Sequence, residues 1–292
     1  MTPDEYCQQK AAKSGSSFYY AFLFLPPMRR SAIIALYAFC REVDDVVDEC
    51  TDVGIARTKL AWWRQQVTDM VNGQPSHPVT KALQPHLQAF KITEAQLQAV
   101  ITGMEMDLDQ TRYLDWAGLE KYCWHAAGVV GEMSASIFGY EHDQTLVYAQ
   151  KLGLAFQMTN IIRDVGDDAR RGRIYLPVSD LQQFNVKAAD ILAGRHSPEF
   201  EALMRFQSQR ARALYQEAAD ALADSDRRSQ RPGLMMAAIY VTLLEEIERE
   251  HWQVLDQRIS LTPLRKFWLA WRNWVGGGRS ALKQLRELSP QT

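Results

Sequence analysis

Little in this chain of 292 residues points to the commoner metal or nucleophile chemistries. Its four cysteines, Cys7, Cys40, Cys50 and Cys123, form no CxxC pair and follow no signal peptide. That favours reduced thiols in a cytoplasmic setting over disulfides or structural zinc. HExxH, GxSxG and a P-loop are absent, and the six histidines are scattered without ligand spacing. A di-iron bundle needs two Glu-x-x-His motifs, and only Glu248 with His251 fits. Lys plus Arg number 33 against 35 Asp plus Glu, a net charge of -2, so no global field selects nucleic acid as a partner. Any anion site must be built locally. No uncharged apolar run reaches the roughly 18 residues of a membrane-spanning helix. Period-two alternation is never sustained, and neither a Gly/Ser linker nor a solenoid repeat divides the chain. With 47% apolar residues, these absences leave a single all-α domain over 1–292.

What is present is helical periodicity. From Pro27 apolar residues recur at Ile33, Leu36, Tyr37 and Cys40. Thr51 or Asp52 caps a second helix, whose Leu60, Trp63, Val67 and Val71 precede a stop at Asn72-Gly73. Thr93 with Gln96 makes a capping box for a helix through Leu97, Val100, Ile101 and Met104 that ends near Asp107 and Asp109. Residues 119–138 hold Gly128, Gly131 and several Ala and Ser, which suits a helix that lines a ligand or lets a neighbour approach closely. A helix over 148–164 is expected to loosen at Gly166 and Gly172 into an arginine-rich loop ending at Pro177. Long helices follow over 197–223 and 232–255. Residues 262–275 place Leu264, Phe267, Trp268, Trp271, Trp274 and Val275 on one side, with Arg265, Lys266 and Arg272 beside them. This pattern suits an amphipathic helix at a membrane surface and equally a last helix packed on the core.

Within this frame two stretches concentrate charge. Asp164 and Asp168 stand one turn apart on a helix, with Asn160 and Gln157 continuing the stripe. Asp44 and Asp48 repeat the spacing after an apolar helix. Two such pairs repel unless a cation lies between them, so they are expected to face each other and hold Mg²⁺, which takes oxygen ligands and commonly shares them with substrate phosphates. Arg41, Arg163, Arg170, Arg171 and Arg173 supply forks that match a diphosphate, and Tyr175 supplies a hydroxyl donor. The competing reading makes both pairs solvated helix faces on a noncatalytic helical membrane-surface protein.

Two long motifs carry a resemblance. Residues 37–41 (Tyr-Ala-Phe-Cys-Arg) followed by Asp44-Asp45-Val-Val-Asp48, and residues 157–168 continuing through Gly172-Arg173-Ile-Tyr175-Leu-Pro177, resemble the two signatures of the squalene and phytoene synthase family. Residue 167 is more often glutamate there, and Asp167 keeps the charge. Ser16-Ser17-Phe18-Tyr19 resembles a phosphate-binding segment of that family, and residues 122–131 resemble a cavity-lining one. The resemblance implies an all-α fold of the class I isoprenoid synthase type with a central cavity, a prenyltransferase activity, and Mg²⁺, with Mn²⁺ as the alternative, on Asp44, Asp48, Asn160, Asp164 and Asp168. Arg41 and Tyr37 would join the aspartates in catalysis. Ser16, Phe18, Arg41, Gln157, Asn160, Arg163, Arg173, Tyr175, Tyr240, Arg258 and Lys266 would contact substrate. Residues 16–27, 104–113 and 231–247 look most like bacterial presqualene diphosphate synthases of hopanoid and squalene pathways. The implied reaction joins two farnesyl diphosphates without NADPH, at a cytoplasmic membrane face, upstream of squalene-forming enzymes. Phytoene synthesis from geranylgeranyl diphosphate, or complete squalene synthesis with NADPH, is the alternative within the family.

Overall fold

The computed structural model describes residues 1–13, 21–22 and 24–288, and these are helical with no strand among them. In chain order the helices are α1 (Pro3–Lys13), α2 (Pro27–Glu49), α3 (Val53–Val71), α4 (Pro78–Leu83), α5 (Glu94–Asp109), α6 (Trp116–Cys123), α7 (Val129–Phe138), α8 (Gln144–Arg170), α9 (Val178–Gln183), α10 (Ala188–Leu192), α11 (Pro198–Ala221), α12 (Arg231–Arg249), α13 (Pro263–Val275) and α14 (Arg279–Arg286). Local chemistry sets their limits. Asp52 caps α3 by accepting from Ile55 N, and Thr93 and Gln96 close the expected capping box on α5. Pro27 opens α2, where its missing N–H costs nothing.

The helix expected over 119–138 is split. α6 and α7 flank a π-turn over Trp124–Gly128, which shifts the phase of the wall it forms. That stretch and α8 approach backbone to backbone. A Cβ on Gly153 would lie 2.5 Å from Ala127 O, and one on Gly131 2.3 Å from Ala149 O. The small residues therefore serve both roles the sequence left open, close approach and cavity lining.

Gly166 does not loosen α8, which continues to Arg170 and ends only at Gly172, at φ 76°. The glycine instead admits another segment. Its N–H donates to Val254 O at 3.2 Å, and a Cβ would sit 2.1 Å from Leu255 O, so the segment after α12 lies directly on α8. α12 itself stops at Arg249, short of the expected residue 255, because His251 and Trp252 take φ near 50°.

α8 runs through the middle, packed on α7, α11 and α12, with α2 and α5 completing the wall around a cavity. α13 packs on α12 through Leu269, Ala270 and Asn273. Trp274 departs from the expected apolar stripe: it stacks on Phe24 with ring centroids 5.1 Å apart and carries Arg231 over its ring. Leu264, Phe267, Trp268, Trp271 and Val275 remain exposed. No helix among the described residues is long and apolar enough to cross a membrane.

Candidate active site

The cavity has a volume of about 580 Å³. The lining residues of α2 run from Ile33 through Tyr37 and Arg41 to Asp44, those of α8 from Tyr148 through Gln157 and Asn160 to Arg163, and those of α12 from Pro232 to Leu243. These three helices therefore line the cavity in the same direction, with apolar beginnings at one end and, on α2 and α8, charged residues at the other. Gly131, Ser134 and Phe138 of α7 descend between them. Phe156 and Tyr240 lie 4.6 Å apart in the wall, and Phe22 and Tyr37 6.3 Å apart.

Asp44 lines the cavity, and Asp48, Asp164 and Asp168 follow the lining residues toward the ends of α2 and α8. Arg171, one of the forks the sequence offers to a diphosphate, joins them in another way: its guanidinium at the end of α8 bonds Asp48 of α2 at 2.9 Å. Arg170 does act locally, on Asp167 at 2.5 Å and on Leu255 O at 2.9 Å. Arg41 bonds Asp44 at 2.6 Å and Asp45 at 2.5 Å, and Lys10 also holds Asp45, at 2.8 Å. Asp45 is thereby occupied as a strut to α1.

Sequence reasoning missed the residue that ties the site together. Asp107, on the last turn of α5, is 8% exposed and accepts from Tyr175 Oη at 2.7 Å and Tyr122 Oη at 3.0 Å. Those rings stack 5.2 Å apart, with Tyr113 5.5 and 6.0 Å from them. The segment after α8 is pinned here by Ile174 N to Thr111 O at 3.1 Å and Val178 N to Tyr113 O at 2.9 Å. The available signal was position: Asp107 falls on the same helix face as Val100 and Met104, which is the apolar face. Tyr175 thus spends its hydroxyl on Asp107 and is not among the cavity-lining residues. Arg173 stands near Tyr175, Asp107 and Asp48.

Charge is divided across the mouth. On one side burial, reinforced by Asp48 and Asp45 against the opposing pull of Arg41, pushes Asp44 up to about 6. Burial together with Asp164 and Asp107 pushes Asp168 up to about 7. Burial raises Asp107 as well, although its tyrosines and Arg173 oppose it. At each of them burial and like charge outweigh the arginines nearby. On the other side Arg163 bonds Asp164 at 2.5 Å and Arg258 bonds it at 2.8 Å, which outweigh burial and hold Asp164 below the ordinary carboxylate range. Lys266 lines the cavity beside both arginines, and burial plus their charge lowers its pKa. Arg258 also reaches Asp167 at 3.8 Å, so three cations stand together beside two carboxylates, and Lys266 is the one for which no acidic neighbour lowers the cost of its charge.

Asn160 lies between the two sides. Its amide nitrogen is 3.4 Å from Gln157 Oε1, while its buried Oδ1 has no hydrogen-bond partner among the described residues. A bare neutral oxygen in the same cavity wall as Asp44 is a kind of donor that fits a hard divalent cation. Of the other expected site residues, Ser16 and Phe18 lie outside the described residues, and Tyr37, Arg41, Gln157, Arg163, Tyr240, Arg258 and Lys266 all line the cavity. The cluster of Glu141, His142 and Asp226 lies apart from it. Asp226 there already accepts from two backbone N–H groups and from Thr145 Oγ1, so it orders a turn.

A family model described as squalene/phytoene synthase matches residues 11–265. The phytoene synthase of Arthrospira platensis is 36% identical over 275 residues, covering 90% of this chain and 89% of its own length. The 15-cis-phytoene synthase of a Synechocystis strain is 33% identical over 282 residues, covering 91% and 84%. Among solved structures, a dehydrosqualene synthase in complex with ligand superposes with a TM-score of 0.83 at 29% identity, covering 97% of each chain. A squalene synthase from Alicyclobacillus acidocaldarius superposes with a TM-score of 0.75 at 26% identity, covering 86% of this chain and 94% of that one.

Proposed function

Because this chain belongs to the squalene/phytoene synthase family, we propose that it joins two farnesyl diphosphates head to head into presqualene diphosphate, with release of one diphosphate. The observation that carries the reading is the bare, buried Asn160 Oδ1 in the wall of a cavity that Asp44 also lines, one helical turn before Asp164. Asp44, Asp48, Asp164, Asp168 and Asn160 would hold Mg²⁺, with Mn²⁺ as a substitute. Once bound, that ion supplies a Lewis acid to the departing diphosphate. Arg163, Arg258 and Lys266 grip the diphosphate oxygens, and Arg41 and Arg173 keep the carboxylates in place.

The allylic C–O bond breaks with its electron pair leaving on the diphosphate. The resulting cation is met by the π-faces of Phe156, Tyr240 and Tyr37 in a cavity that excludes water. The double bond of the second substrate attacks it, and loss of one proton closes the cyclopropane. The proton leaves to released diphosphate or to a tyrosine hydroxyl. No electrons are transferred, so NADPH is not required for this step.

A second reading, condensation of geranylgeranyl diphosphates to phytoene, is favoured by the relatives named phytoene synthases. The two readings differ in the tails the cavity of about 580 Å³ takes, those of two geranylgeranyl diphosphates being about a third larger. Incubation with each diphosphate and Mg²⁺, with and without NADPH, decides between them. Presqualene diphosphate from farnesyl diphosphate, independent of NADPH, is the expected product. Faster formation of phytoene would replace this reading, and no diphosphate release from either substrate would overturn it.

The exposed face of α13 adjoins the mouth through Lys266, and Arg265 and Arg272 flank it. Trp, Phe and Leu beside cations suit the boundary of an anionic bilayer, where prenyl substrates dissolve and from which squalene-forming enzymes would draw the product. Replacing Trp268 and Trp271 by Glu is expected to reduce co-sedimentation with anionic liposomes at least tenfold. Unchanged sedimentation of the folded variant would remove the membrane from this account.

A further inference from the structure

The closed end of the cavity lies where α2, α8 and α12 begin and α7 ends. Tyr148 is the α8 lining residue farthest from Asp164, about 24 Å down the helix axis. It is 1% exposed, and its hydroxyl has no hydrogen-bond partner among the described residues. A phenylalanine would fill the same volume without stranding a polar atom, so this oxygen adds reach but no bond. It is aimed at Gly233 of α12, where a Cβ would come within 2.8 Å of it, while Leu152 Cδ2 would be at 3.5 Å from that Cβ. Only a residue without a side chain leaves space for the hydroxyl. Both residues line the cavity.

We propose that the contact of the Tyr148 hydroxyl with the Gly233 backbone is the stop that fixes the longest prenyl tail this cavity accepts. The inference rests on the reading of the site as one for prenyl diphosphates, and holds whichever of them the enzyme prefers. α11 packs along α8, and α13 and α14 pack along α12, whereas Tyr148 and Gly233 both line the cavity, so the cavity is the open direction for the ring. A methyl group at position 233 would push the phenol toward the mouth and shorten the chamber. Removing the phenol would lengthen it.

The test measures binding and turnover of geranyl, farnesyl, geranylgeranyl and farnesylgeranyl diphosphates, with Mg²⁺, by the protein and its variants. Gly233→Ala is expected to weaken the longest tail accepted by the wild type about tenfold or more and to spare the next shorter one. Tyr148→Phe introduced into Gly233→Ala is expected to restore the original ranking, which general damage to packing would not allow. Tyr148→Ala is expected to admit a tail one isoprene unit longer. Should Tyr148→Ala fail to fold, the Gly233→Ala pair still decides. An unchanged ranking in Gly233→Ala, or no restoration by Tyr148→Phe, overturns the stop. Failure of the wild type to bind any of the four diphosphates would instead overturn the reading of the site.

Discussion

Asp168→Asn is expected to lower turnover by about three orders of magnitude while making the metal-free protein more stable at pH 8. The two effects share one cause. Burial and the nearby Asp164 and Asp107 push the Asp168 carboxyl up to about 7. Its unfolded value is ordinary, near 4, so the folded chain binds the proton more tightly than the unfolded one. Stability from this group is therefore complete below about pH 4, is lost as pH rises toward 7, and is at its lowest beyond that. Asparagine keeps the shape and removes the titration. At about 1.4 kcal/mol per unit, and discounted for the solvent that reaches this half-buried carboxylate, the gain at pH 8 is about 1–3 kcal/mol. It should vanish near pH 4. Thermal melts of both proteins at the two pH values, with EDTA, read it directly. A variant that melts below the wild type at pH 8, or that turns over normally, would count against the assignment. Asp44→Asn should behave alike with a smaller gain, because Arg41 lies against Asp44.

A second large effect lies away from the mouth. Arg212 of α11 bonds Glu248 of α12 through Nε at 3.0 Å and through a terminal nitrogen at 2.5 Å, with both side chains 8% exposed. Arg212→Ala strands a buried carboxylate and is expected to cost about 3–5 kcal/mol. Arg212→Met with Glu248→Leu removes both charges and should recover most of that loss, since a buried pair is worth little against well-packed apolar replacements. Urea titrations of the three proteins test this. Equal instability of the single and double variants would show that shape, not charge, holds α11 to α12. The same pair accounts for the lone Glu-x-x-His: Glu248 is taken by Arg212, and His251 has left the helix at φ 50°.

How much of this was legible beforehand depended on periodicity. α2, α3, α5, α8 and α11 were readable because each buries an apolar stripe over several turns. α1, α4, α9, α10 and α14 are short, and their positions come from what they pack against. Gly166 misled because a glycine within a helix reads as a weakness, whereas here the missing side chain seats two carbonyls of a segment almost 90 residues later. The aspartate pairs were legible as repeated spacing. Asp107 was not, since a single carboxylate among apolar neighbours gains meaning only when Tyr122 and Tyr175 arrive from elsewhere. Arg171 likewise reads as one of several forks for a diphosphate until α2 is brought beside it and Asp48 takes it.

Asp48, Asp107 and Asp168 all sit in the final turns of their helices. Helix ends of that polarity carry unpaired carbonyls equivalent to about half a negative charge each. Three macrodipoles thus converge on the mouth with the sign that opposes carboxylates. This part of the field belongs to the backbone, and no side-chain substitution removes it. On the proposed function, a diphosphate arriving alone would meet repulsion from that side, whereas a divalent cation would be drawn in by the carbonyl ends together with the carboxylates. Salt screens this pull over a Debye length of about 10 Å at 0.1 M, so cation capture should weaken with ionic strength more steeply than the side chains alone would dictate.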